Sequence, residues 1–234
     1  MATQPKPSST ALERSIAACI DNGFRLCEET DDLEFRKPAA SRFYLAMIAQ
    51  EEFAKAFLLF LVKEDVVPLS SAVRRTMNDH SCKQLVGMLL DYMIMHWDEL
   101  PELEALIARD AELGDRFPND VGSALEILRY EKIEVWRGRS WAWAEDPAYD
   151  LQALRVADGK RDQRKQDALY VRIGRDGQVA STPHAITEQE TRDELDRAGR
   201  YGHFVAEVRT GTKNSVRFNR TMAALGVLFA DIER

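Results

Sequence analysis

The sequence predicts an all-α helical bundle carrying one small β-hairpin insertion. Three observations lead to that class. Apolar residues recur at three- and four-residue spacing through most of the chain. Ser, Thr, Asp and Asn stand ahead of several of these runs, where helix caps are expected. A strand-like alternation occurs at Ala168-Leu169-Tyr170-Val171-Arg172-Ile173, followed by the hairpin-turn signal Asp176-Gly177.

Each element follows in order. Met1 to Ser9 reads as a polar, Pro/Ser-rich lead with no signal peptide. Thr10 is placed to cap a first helix reaching Thr30, with Leu12, Ile16, Ile20, Phe24 and Cys27 on one face and Asp31-Asp32 closing it. Pro38 sits where a first helical turn tolerates it and opens a second helix ending near Glu64. Pro68 and Ser70-Ser71 start a short helix. Asn78 or Asp79 caps the next, which carries Leu85, Met88, Leu89, Tyr92 and Met95 to about Trp97. Pro101 begins another that ends near Gly114, and the pattern resumes from Asn119 to Arg137.

The texture then changes. Trp136, Trp141, Trp143 and Tyr149 fall among Gly, Pro and charges, which reads as a loop-rich insertion over about residues 138–186. Arg155 to Arg175 holds seven basic and three acidic residues, so this segment is the most cationic part of the chain. Gln178 to Ser181 is the return strand. Thr187-Glu188-Gln189-Glu190 has the spacing of a capping box and opens a helix to roughly Thr210. Gly211 breaks it, and Asn214 to Ile232 is the last helix. With no internal repeat and no long linker, residues 10–234 read as one helical domain.

Composition narrows the function. The chain is 45% hydrophobic and 30% charged with a formal net charge of −7, which suits a soluble helical protein and argues against one that coats nucleic acid wholesale. A local basic groove stays open. Cys19, Cys27 and Cys82 lack paired metal spacing and read as free thiols in a cytoplasmic protein. The apolar window Phe43 to Val62 has membrane-spanning length but carries Gln50, Glu51, Glu52 and Lys55 at its centre. Central charges cost about 2.5–3.5 kcal/mol each on insertion scales, so a buried helix is expected and no membrane.

Those central charges form the first candidate site. Buried charge is costly unless paired, so Glu51, Glu52 and Lys55 are either a structural ion network or the wall of a functional site. Glu51 and Lys55 stand at i,i+4 in the favoured order, and His80 or Lys83 is positioned to reach the same spot. A di-iron site would need Glu-x-x-His on two helices, and none of His80, His96, His184 or His203 has a Glu three residues earlier. No metal and no cofactor are expected.

Arg75 and His80 form an R-x4-H spacing. Metal-free RNA cleavage needs a group to take the 2′-hydroxyl proton and a cation to hold the phosphate, roles suited to histidine and arginine. On one straight helix the two would lie about 140° apart, so they converge only if the chain turns at Asn78-Asp79. Lys83 lies one turn beyond His80. Arg197 and His203 form a second, R-x5-H spacing, with Arg200 on the face of His203, and Gly199 and Gly202 there mark a kink or a close approach. Arg161, Arg164, Lys165, Trp136, Trp141, Trp143 and Tyr170 suit either stacking on RNA or a protein partner surface.

Three segments carry a family resemblance: Ala49-Gln50-Glu51-Glu52-Phe53-Ala54-Lys55-Ala56, His80-Ser81-Cys82-Lys83, and Lys165-Gln166-Asp167-Ala168-Leu169-Tyr170-Val171 followed by Pro183 and a Thr-led helix. In order and spacing, over about residues 10–206, the chain resembles the AbiV family of abortive-infection proteins, a branch of the HEPN superfamily. The resemblance implies a HEPN helical bundle, a homodimer, and bacterial defence against phage through shutdown of translation, with a phage protein as a candidate activator. HEPN ribonucleases cut RNA without metal through an R-x4–6-H motif. That motif matches Arg75 with His80 and Arg197 with His203, and Glu51, Glu52, Lys55 and Lys83 would orient the first pair. A polar residue usually follows the motif arginine. Here Thr76 and Ala198 stand there. Two functions stay open, a metal-independent ribonuclease and a non-catalytic dimeric binding protein. An antitoxin-like HEPN partner is a third.

Overall fold

A computed structural model describes residues 7–100, 118–136, 138, 147–211 and 216–229. The expected helix from Pro101 to Gly114, and Trp141 and Trp143, lie outside the described residues. The described part is helical apart from two short strands. Helices α1 (Ser9–Asp31), α2 (Ala40–Lys63), α3 (Ser71–Asn78) and α4 (His80–His96) come first. Helix α5 (Asn119–Glu126) continues as a π-helix over Ile127–Glu134. Then come α6 (Leu151–Ala157), α7 (Lys160–Asp167), the hairpin β1 (Arg172–Ile173) and β2 (Val179–Ser181), α8 (Glu188–Thr210) and α9 (Val216–Phe229). Among the described residues no helix is long and apolar enough to cross a membrane.

Helix α2 is the central element, packed by α1, α8 and α4. Its apolar residues point in every direction, and Ala46, Ala49, Phe53, Ala54, Phe57 and Leu61 are fully buried. A helix apolar all round must be enclosed on all sides. Two glycines let its neighbours close in. A Cβ on Gly23 of α1 would stand 2.5 Å from the Phe53 ring, and one on Gly202 of α8 would stand 2.7 Å from it. Gly202 thus marks the close approach. Tyr201 beside it is buried, and its hydroxyl donates to the Gly87 carbonyl of α4 at 2.6 Å.

One cap differs from the sequence expectation and two agree with it. Ser8, not Thr10, caps α1, its hydroxyl accepting from the Ala11 amide at 3.2 Å. Asp79 ends α3 and caps α4, accepting from the Cys82 amide at 2.9 Å, so the chain turns between Arg75 and His80. The capping box at Thr187 and Glu190 is formed in both directions.

The insertion departs most. Within the stretch read as loop, residues 151–157 and 160–167 form two helices, and the first joins the core through Ala153 and Val156. Asp150 caps α6, and Gly159, at a left-handed φ of 74°, separates it from α7. Ala168, Leu169 and Tyr170 are not strand. Their amides continue the turn that closes α7, donating to Lys165 and Gln166 carbonyls. The alternation there reflects one buried residue, Ala168, followed by an exposed arm in which strand pairing starts only at Arg172 opposite Ser181.

Candidate functional site

The site is built around Glu51. Helix α2 delivers this carboxylate to 2% exposure. Two elements meet it. From α4, Lys83 Nζ lies 2.8 Å from Oε2 and Gln84 Nε2 donates to Oε1 at 3.3 Å. From the start of the same helix, His80 Nδ1 lies 2.6 Å from Oε2. From α7, Lys165 Nζ donates to Oε1 at 2.6 Å and also reaches Asp162 Oδ1 at 2.7 Å. Lys165 Nζ is 3.0 Å from His80 Nδ1 as well. Burial raises the Glu51 carboxyl pKa, but the ammonium charges of Lys83 and Lys165 and their hydrogen bonds outweigh it and hold the group below the ordinary carboxylate range.

His80 is the part of this cluster that faces outward, its side chain 49% exposed. Its geometry follows from the Asp79 cap, which puts His80 at the first position of α4 rather than inside a continuous helix. With Nδ1–H donating to Glu51, Nε2 carries the lone pair and is the nitrogen left for a ligand. A histidine held through one ring nitrogen by a carboxylate is oriented for proton transfer through the other.

Glu51, His80 and Asp162 also bring three donor atoms within 4.8 Å of one another, ligand types that suit a divalent cation. Lys83 and Lys165 already bring two positive charges to the two carboxylates. A cation entering there would meet ammonium groups where it needs anions, so the donor set fits a metal poorly.

The other sequence candidates are placed as follows. Lys55 pairs with Glu52 at 2.6 Å, not with Glu51, because Glu51 is turned toward α4 and α7 while Glu52 shares a face with Lys55. Both lie beside Cys19 of α1 and outside the His80 cluster. The Arg75 guanidinium stacks over the Trp136 ring at 4.7 Å, on the far side of the Asp79 break. Arg197 and His203 diverge. Six residues on a helix separate them by about 120°. Arg197 lies against Glu194 and Asp91, at 2.8 and 3.3 Å. His203 sits against Phe24 and lines, with Arg200, an open cavity of about 890 Å³ between α4, α8 and α9.

The cations assigned to an RNA or partner surface mostly face inward. Lys165 is 3% exposed in the Glu51 cluster. Arg161 donates to Glu194 Oε2 at 2.7 Å and to Gln50 Oε1 at 2.8 Å, and Arg164 forms a forked pair with Glu190. The reason is the composition of α7, Lys-Arg-Asp-Gln-Arg-Lys-Gln-Asp, which has no apolar side chain and docks through charge. Tyr170 stands exposed on the arm to the hairpin. Sequence reading missed Asp162, Gln84, Gln50 and Glu194. Asp162 had a local signal, three residues before Lys165, and Glu194 likewise before Arg197. Gln84 and Gln50 had none.

The three cysteines are free. Burial pushes the Cys27 thiol up to about 11 and raises those of Cys19 and Cys82 too, which makes them poor nucleophiles.

Comparison with known proteins agrees with the sequence resemblance. The family model for AbiV, of HEPN type, matches residues 11–203, a span that includes Glu51, His80, Lys83 and Lys165. No curated protein and no solved structure matches the chain significantly.

Proposed function

The chain belongs to the AbiV family of HEPN-type bacterial abortive-infection proteins, and on that premise we propose that it is a metal-independent ribonuclease that shuts down translation during phage infection. The observation that carries this reading is the pairing of an outward-facing His80 with the buried Glu51 carboxylate at 2.6 Å. Among the four histidines, all of them described, His80 is the one held by a buried carboxylate; the partner of His96, Glu99, is exposed.

In this mechanism His80 Nε2 accepts the proton of an RNA 2′-hydroxyl. The 2′-oxygen then attacks the adjacent phosphorus, the bond from phosphorus to the 5′-oxygen breaks, the leaving oxygen takes up a proton from water, and His80 gives its proton back to solvent. Glu51 stabilises the imidazolium as it forms and keeps Nδ1 as the bound nitrogen. Lys83 and Lys165 hold Glu51 ionised and in place. Arg75, exposed on the Trp136 ring, is the phosphate clamp. The working unit in this reading is a homodimer in the cytoplasm, and a phage protein is its trigger.

The experiment is incubation of purified protein with total RNA and with tRNA in EDTA, with and without phage lysate. His80→Ala should lose cutting by about 10²–10⁴-fold, the usual span of general acid–base catalysis, while His203→Ala should cut like the wild type. Equal cutting by His80→Ala would refute the assignment.

A second reading, a non-catalytic binding protein, is favoured by one observation. Lys83 and Lys165 are spent on Glu51, so the cluster offers RNA little free positive charge. In that case no RNA is cut under any condition, and Trp136→Ala or Tyr170→Ala removes defence without unfolding the chain.

A further inference from the structure

A second pocket lies along α7, beside the Arg161 and Glu194 pair rather than at His80. Its volume is about 330 Å³, and four arginines line it: Arg155 of α6, Arg161 and Arg164 of α7, and Arg197 of α8. Three carboxylates face them, Glu190, Asp193 and Glu194. These acids are already committed. Glu194 accepts from Arg161, Arg197 and Gln50. Glu190 accepts from Arg164 and from Thr187 in the capping box. Asp193 accepts from Gln189.

Donors are left over. Arg155 has no hydrogen-bond or ion-pair partner among the described residues and is exposed at the pocket. Arg197 pairs through Nε with Asp91 at 3.3 Å and through Nη1 with Glu194, which leaves its Nη2 over. Each guanidinium carries five N–H donors and no acceptor. The pocket therefore presents spare guanidinium donors, and its lining holds one arginine more than it has acids, with Asp91 outside the lining paired to Arg197. Phe43 and Val156, both buried, form an apolar wall beside them. Docking of α7 explains Arg161 and Arg164 but leaves Arg155 without a purpose.

We propose that this pocket binds a small phosphate monoester, its phosphate held by Arg155 and Arg197 and its organic body against Phe43 and Val156. A phosphate offers three acceptor oxygens and up to two charges, which matches the donor surplus better than a carboxylate does. The volume exceeds that of inorganic phosphate and lies at the lower end of the range for small-ligand sites.

The test is calorimetric titration of the full chain at low salt with adenosine monophosphate, adenosine and inorganic phosphate as probes. Saturable binding of the monophosphate, weaker binding of phosphate alone and none of adenosine are expected. Arg155→Ala should weaken the monophosphate at least about tenfold, as loss of a charged hydrogen bond does. Arg155 touches no described partner, so this variant keeps the fold, and Arg155→Lys should recover only part of the affinity because it lacks the fork. No saturable binding up to millimolar probe, or equal affinity in Arg155→Ala, overturns the site. Phosphate binding as tightly as the monophosphate overturns the apolar wall's part in it. The titration contains no RNA, so its outcome is separate from that of the cleavage assay.

Discussion

Glu51 and His80 lie 29 positions apart in sequence, and their carboxylate and imidazole meet at 2.6 Å, the first buried at 2% exposure and the second open to solvent. The pair joins the innermost helix to the surface. Its stability and its chemistry are coupled through the same two lysines, which gives the first prediction.

Glu51→Gln should destabilise the protein by about 3–5 kcal/mol, the cost of leaving buried charges without their partner. Lys83 and Lys165 would then face a neutral amide in a dry setting. Urea unfolding measures the loss. A change within about 0.5 kcal/mol, the scale of surface substitutions, would show that water reaches the lysines.

Stability should fall on the acid side through Glu51 and Glu194. Burial raises both carboxyl pKa values, but Lys83 and Lys165 in the first case, and Arg161 and Arg197 in the second, hold them below the ordinary value. The unfolded chain therefore binds these protons first. The stabilisation is complete above the unfolded value of about 4.3. It is lost as pH drops through the lower folded values. Melting temperature measured from pH 7 to pH 3 should drop more steeply for the wild type than for Glu194→Gln. Parallel curves would remove Glu194 from the account.

The two glycines of α8 should respond oppositely to alanine. Gly202→Ala pushes a methyl into the Phe53 and Phe24 rings, at 2.7 and 2.9 Å, and should cost about 1–3 kcal/mol by overpacking. Gly199 has nothing within 4 Å of an added Cβ. There alanine should stabilise the helix by about 0.5–1 kcal/mol. Thermal melts of the two variants decide it, and a shared sign would contradict the packing described.

Helix α7 should be the salt-sensitive element. Its side chains hold it through Arg161, Arg164, Lys165 and Asp167, each ion-paired to another element or to the following arm. At 1 M salt the screening length shrinks to about 3 Å. Amides of α7 should then exchange faster while those of α2 hold their protection. Equal protection of α7 at low and high salt would mean that apolar contacts at its end, such as Ala168 with Phe43 and Met47, carry the docking instead.

Much of the fold was legible locally. Apolar spacing located α1 and α4, because a helix buries one face at a period that the chain itself displays, and α2 showed as an apolar run behind Pro38. The capping box at Thr187 was readable for the same reason, since both of its bonds lie within four residues. The Asp79 turn was anticipated, as the condition for Arg75 and His80 to converge; that Arg75 instead stacks on Trp136 was not. Helices α6 and α7 were not legible. Helix α7 has no apolar side chain, so periodicity had nothing to report, and the basic residues that mark a surface in composition are its means of attachment.

By itself the sequence determined an all-α protein of the AbiV family with a carboxylate buried in its central helix, because local periodicity and caps express themselves along the chain. It placed Glu51, His80 and Lys83 as candidates for one spot. Only the tertiary structure decided that Lys165 completes that spot, that Lys55 turns to Glu52 instead, and that Arg197 and His203 part company. Those outcomes depend on which face of each helix meets which neighbour. Charge pairing across more than 100 residues, as between Glu51 and Lys165, leaves no periodic trace in the chain that makes it.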